Sequence, residues 1–122
     1  MIAKQQPVKV AVDAMGGDYA PYEVIAGAIE AARKSNVHIA LVGDTNKIGL
    51  ELSKYDVSDL PIKIVPSEGV IAEDEAPALA LRNKPKASIL VATKMVKDGH
   101  VDACVTMGST GAAMAAATVI IG

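Results

Sequence analysis

The chain has 122 residues, enough for one domain with its own core and too few for two of ordinary size. Apolar residues make up 51 % of it, but with no Phe or Trp and three Tyr, so the core must be aliphatic, which suits layered strands and close-packed helices. A net charge of −2 with dispersed cations, and so few aromatic rings, supplies neither the electrostatic footprint for duplex nucleic acid nor a stacking platform for single strands.

In chain order, Val8 to Val12 reads as a first strand, interrupted only by Lys9. Pro21 suits a first helical position, Glu23 suits the positive end of the helix, and Val24, Ile25, Ala28, Ile29 and Ala32 mark one helical face. Val37 to Val42 is the second strand; Asp44 or Thr45 can then cap a short helix carrying Ile48, Leu52 and Tyr55. Ile62 to Val65 is the third strand, closed by Pro66. The run Glu73-Asp74-Glu75-Ala76-Pro77 looks like an entry to a short helix around Ala78 to Leu81. Ser88 can cap the next helix, with Ile89, Ala92, Thr93 and Val96 on one face and Gly99 as its stop. Val101 to Val105 is the fourth strand, and a last helix starts at Ser109 to Gly111 and runs to Gly122. Strands separated by helices predict βαβ units, hence one α/β domain over residues 1–122: three αβα layers around a mainly parallel, Rossmann-like sheet.

The single cysteine, Cys104, excludes an intrachain disulfide and fits a reducing cytosol. Met1 to Pro7 has no apolar core of a secretory signal, so a cytoplasmic protein is expected. Ala103 to Gly122 carries no charge and is long enough for a membrane span, but Gly108-Ser109-Thr110-Gly111 in its middle and its many Ala favour strand, turn and buried helix.

Open parallel sheets bind ligands beyond the carboxyl ends of their strands, chiefly where strand order reverses. With an order 3-2-1-4, the Gly-bearing loops after the first and fourth strands, Asp13-Ala14-Met15-Gly16-Gly17-Asp18 and Thr106 to Gly111, would share one crevice. Gly108 to Gly111, with the Ser109 and Thr110 hydroxyls, reads either as a phosphate or oxyanion cradle or as a capped turn that packs a helix. Asp13 and Asp18 flank the first loop; carboxylates there would repel phosphate unless they orient hydroxyls or backbone, and Asp18 can equally cap the helix near Pro21. Arg82, Lys84 and Lys86 precede Ser88, which makes either an anion site or a solvated loop. His38 and His100 fall at the opposite sheet edge, Cys104 lies within a strand, and neither zinc spacing nor a nucleophile elbow occurs. If the chain is an enzyme, its substrate supplies the nucleophile, and no metal or cofactor is expected.

The segment Val10-Ala11-Val12-Asp13-Ala14-Met15-Gly16-Gly17-Asp18-Tyr19-Ala20-Pro21 closely resembles the opening of the PlsX-type phosphate acyltransferases. Leu41-Val42-Gly43-Asp44 is similar to that family's second strand, and Glu75-Ala76-Pro77 with Ala80, Arg82, Lys84 and Ser88 to its basic segment. Thr106-Met107-Gly108-Ser109-Thr110-Gly111-Ala112 looks like its Ser-Ala-Gly-Asn-Thr-Gly-Ala loop, with Thr and Ser standing where Ser and Asn are usual; Pro85 also interrupts the basic segment. The resemblance covers the chain in order, but family members are much longer and it corresponds to their N-terminal part.

The resemblance implies a fold related to the isocitrate and isopropylmalate dehydrogenases. It implies transfer of a fatty acyl group from acyl carrier protein to inorganic phosphate, giving acyl phosphate for phospholipid synthesis. A homodimer, and peripheral membrane association through the part of the family this chain lacks, are also implied. Lys84, Ser109 and Thr110 are then the candidate catalytic residues. Asp13, Gly16, Gly17, Asp18, Arg82, Lys86, Ser88, Gly108 and Gly111 are the candidate phosphate- and substrate-binding ones. Two other readings stand beside it: a phosphotransacetylase-like enzyme using acyl-coenzyme A, and a truncated, non-catalytic domain that binds phosphate or a partner.

Overall fold

The computed structural model describes residues 6–72 and 74–121. The readings made on Met1 to Gln5, Glu73, Gly122 and the side chain of Thr110 lie outside the described residues. The elements run β1 (Val8–Asp13), α1 (Tyr22–Lys34), β2 (Val37–Gly43), α2 (Thr45–Leu52), β3 (Ile62–Pro66), α3 (Pro77–Asn83), α4 (Ser88–Lys97), β4 (Ala103–Val105) and α5 (Thr110–Ala116). A wider helical turn, Ala117–Ile121, continues α5.

All strand pairs are parallel, as expected from the sequence, and the order β3-β2-β1-β4 is the one that sets the first and fourth strands side by side. Alternation along the strands divides the core between two faces. Val10, Val12, Ile39 and Leu41 pack with Ile25, Ala28 and Ile29 of α1 and Ile48 of α2. Ala11, Ala40 and Val42 pack with Ala92 and Met95 of α4 on the other face. Alanines on that second face let α4 sit close to the sheet. A third cluster joins α3, α4 and α5 through Ala80, Leu90, Ala112 and Ala116.

Several helix ends differ from expectation. Pro21 is the cap position of α1, not its first turn, and its carbonyl accepts the Ile25 N–H at 2.9 Å; Asp18 does not cap it. Ser88 does not cap α4. The turn closed by Ala87 N–H on the Lys84 carbonyl leaves Ala87 extended as the cap, so Ser88 becomes the first helical residue, buried, with its own N–H on the Gly69 carbonyl. Asp44 does cap α2, accepting the Lys47 N–H at 3.0 Å. β4 begins at Ala103, two residues later than expected, because the N–H groups of His100 and Val101 are taken by the Met95 carbonyl at the end of α4. Among the described residues no helix is long and apolar enough to cross a membrane, and the uncharged C-terminal stretch divides into β4, a loop and α5.

Leu41 lies fully buried in the central strand pair. Leu41→Ala is expected to lower unfolding free energy by about 2–5 kcal/mol in urea titration, since the flanking strands cannot collapse on the void.

Candidate active site

Strand register sets the geometry. Val12 pairs with Val105, so the next residues, Asp13 and Thr106, leave the carboxyl end of the sheet side by side. The Thr106 hydroxyl donates to Asp13 Oδ2 at 2.8 Å and accepts the Gly108 N–H at 3.0 Å. Asp13 Oδ1 accepts the Met15 N–H at 3.1 Å, turning the chain sharply out of β1. Asp13 is only 3 % exposed. A carboxylate so placed must be hydrogen-bonded, and these two donors meet that need.

The two glycine loops touch through their backbones. A Cβ on Gly16 would stand 2.6 Å from Asp13 Oδ2 and 3.0 Å from both the Gly108 nitrogen and the Thr106 hydroxyl. Gly17 has φ +100°, and its Cα faces the Met107 backbone and side chain. No other residue type fits the first position, and the second lies in a region that L side chains rarely adopt.

The loop after β4, Thr106 to Gly111, has the contacts of a capped turn that packs a helix. Ser109 is buried and caps α5, its Oγ accepting the Ala112 N–H at 3.1 Å. Gly108 spends its N–H on Thr106, so that amide holds the loop together. Gly111 is an inter-helix contact: a Cβ there would meet Pro77 of α3 at 3.1 Å. Asp18 is exposed beside the first loop.

The basic segment has a different geometry from the one the sequence suggests. Lys84 Nζ donates to Glu75 Oε1 and, at 2.8 Å, to the Val70 carbonyl, so it fastens the 70–75 loop to the end of α3. Arg82 and Lys86 are exposed and Ser88 is buried. Among the described residues, none of these four makes a hydrogen bond or ion pair with the glycine crevice. Glu75 also accepts the Ala72 N–H at 3.0 Å, and that bond, followed by the one from Lys84, holds its carboxyl below the usual value.

The sequence places Thr106 in the loop after the fourth strand but not among the candidate site residues, because residue type alone does not reveal its partner. Its signal lies in the strand order, which sets it level with Asp13. Ser67, just after β3, likewise carries a buried hydroxyl with no hydrogen-bond partner among the described residues. Cys104 sits in β4 opposite Ala11, and burial pushes its thiol up, which makes it a poor nucleophile. Among the described residues no three His, Cys, Asp or Glu side chains gather as a metal ion would require.

Thr106→Val is expected to cost about 1.5–3 kcal/mol in urea unfolding, since it strips a charge-assisted bond from a buried carboxylate, whereas Thr106→Ser keeps most of that stability. Glu75, with its carboxyl lowered, contributes stability that is complete above the ordinary value of about 4.3 and lost as pH falls through the lowered one. Melting curves from pH 6 down to about pH 3 should therefore fall less steeply for Glu75→Gln than for the native chain.

Residues 8–122 match the family described as fatty acid synthesis protein. The chain is 50 % identical over 115 residues to a phosphate acyltransferase of Desulforamulus reducens, covering 94 % of this chain and 34 % of that protein. It is 47 % identical over 116 residues to a phosphate acyltransferase of Trichodesmium erythraeum, covering 95 % and 34 %. It is 50 % identical over 115 residues to one from Moorella thermoacetica, covering 94 % and 34 %. The chain thus spans about a third of the length of the curated relatives it matches.

Proposed function

The chain belongs to the fatty acid synthesis protein family, and from that premise we propose that it is the N-terminal α/β part of a phosphate acyltransferase. The reaction takes an acyl group from acyl carrier protein to inorganic phosphate, giving acyl phosphate for phospholipid synthesis in the cytoplasm. The observation that carries this reading is the interlocked crevice of Asp13, Gly16, Thr106 and Gly108 at the carboxyl end of β1 and β4.

The chemistry needs no protein nucleophile. A phosphate oxygen forms the bond to the thioester carbon, the C–S bond breaks, and the carrier's thiolate leaves and takes up a proton. The protein must hold phosphate against the carbonyl and stabilise the oxyanion. In this reading Asp13 and Thr106 hold the loops rigid, so that backbone of the Gly16-Gly17 and Gly108-Thr110 turns faces the reacting groups. Ser109 sets the entry of α5. Arg82 and Lys86, both exposed, meet phosphate or the acidic groups of the carrier, while Lys84 anchors their segment. A homodimer completes the proposed assembly.

Phosphate-dependent release of carrier thiol from palmitoyl-carrier protein tests the reading. Release by this chain, reduced about 100-fold in Gly16→Ala, is the expected result. A folded chain that releases no thiol at any phosphate concentration would overturn catalysis by these residues, and faster release of coenzyme A from palmitoyl-coenzyme A would reassign the donor.

A further inference from the structure

Three of the aliphatic runs that form the sheet are each interrupted once, by Lys9 in β1, His38 in β2 and Lys63 in β3. Each is the second residue of its strand. Lys9 pairs with His38, and Lys63 pairs with Ala40, two residues beyond His38. Register partners in a sheet point to the same side, and residues two apart on a strand share a face. All three side chains therefore lie on the face that Ala11, Ala40 and Val42 present to α4, at the amino edge opposite the glycine crevice. The turn leaving α4, held by the His100 N–H on the Met95 carbonyl at 2.9 Å, brings His100 to the same place.

These four residues line a recess of about 400 Å³, a volume within the range of about 300–1,000 Å³ usual for small-molecule sites. Its lining also includes the buried Ile39, Ala40 and Val101, while the four basic side chains are exposed. No carboxylate belongs to the lining among the described residues, and none of the four side chains is in an ion pair there. Asp102, next to Val101, is committed to backbone: its Oδ2 accepts the Lys9 N–H at 2.8 Å, and its own N–H donates to the Lys9 carbonyl at 2.8 Å. The acids on the flanking turns, Asp59 and Asp98, are exposed and lie outside the lining. A concave site of one charge sign above low-dielectric walls focuses its field outward and concentrates ions of the opposite sign.

We propose that this recess is a second ligand site, for a small molecule carrying two or more phosphoryl-type negative charges. Lys9 and Lys63 supply the charge from the two strands flanking β2, and the His38 and His100 rings add N–H donors from the centre and the rim. The site stands at the opposite edge of the sheet from the glycine crevice, and its assignment does not depend on the phosphate acyltransferase reading.

The chain has two histidines, both in this lining, so their ring C–H signals in proton NMR report on the recess directly. Titration with inorganic pyrophosphate is expected to shift both rings. Calorimetry should show that Lys9→Gln with Lys63→Gln weakens binding about tenfold or more, the loss expected from removing two charge-assisted contacts. Lys47→Gln with Lys94→Gln removes the same charge from exposed positions elsewhere and should leave the affinity within about twofold. Rings unmoved at saturating pyrophosphate, or equal weakening in the two double variants, overturn the assignment; heat of binding without ring shifts would put the anion elsewhere. Ring signals moved by phosphatidylglycerol vesicles and not by pyrophosphate overturn it in favour of a lipid surface.

Discussion

The buried carboxylate of Asp13 is the constraint on which the candidate site depends. A charge at 3 % exposure is tolerated only where donors meet it, and both donors here belong to the loops themselves: the Met15 amide from its own turn and the Thr106 hydroxyl from across the sheet. Because Thr106 also accepts from Gly108, the charge, the hydroxyl and the amide form one relay across the β1–β4 seam. Loops usually vary and move more than the elements they connect; these two are tied to the rigid centre of the sheet.

That relay explains the composition around it. The backbones of Gly16 and Gly108 must approach too closely for a Cβ on Gly16. The opposite face needs small residues for a related reason: Ala11, Ala40 and Ala92 let α4 lie close to the sheet. An aliphatic core without Phe or Trp is thus matched to short distances between layers.

The electrostatics of the crevice follow from where charges were committed. Lys84 is bound into an ion pair with Glu75 and a bond to the Val70 carbonyl, an anchoring role, leaving Arg82 and Lys86 as the exposed cations of that segment. The glycine crevice itself presents backbone and one relay hydroxyl.

The sequence alone determined the α/β class and the four strands, because aliphatic runs, helical periodicity and glycine placement are local signals that the fold respects; the order 3-2-1-4, on which the meeting of the first and fourth loops depends, is set by tertiary pairing. Side-chain partners were decided by the tertiary structure. Ser88 was legible as a cap and became a buried first-turn residue once the Lys84–Ala87 turn set the start of α4. Lys84 was legible as a cation, but its partner Glu75 lies nine positions away across a loop whose path no periodicity specifies. Thr106 and Asp13, ninety-three positions apart, meet only because parallel pairing sets Val12 against Val105.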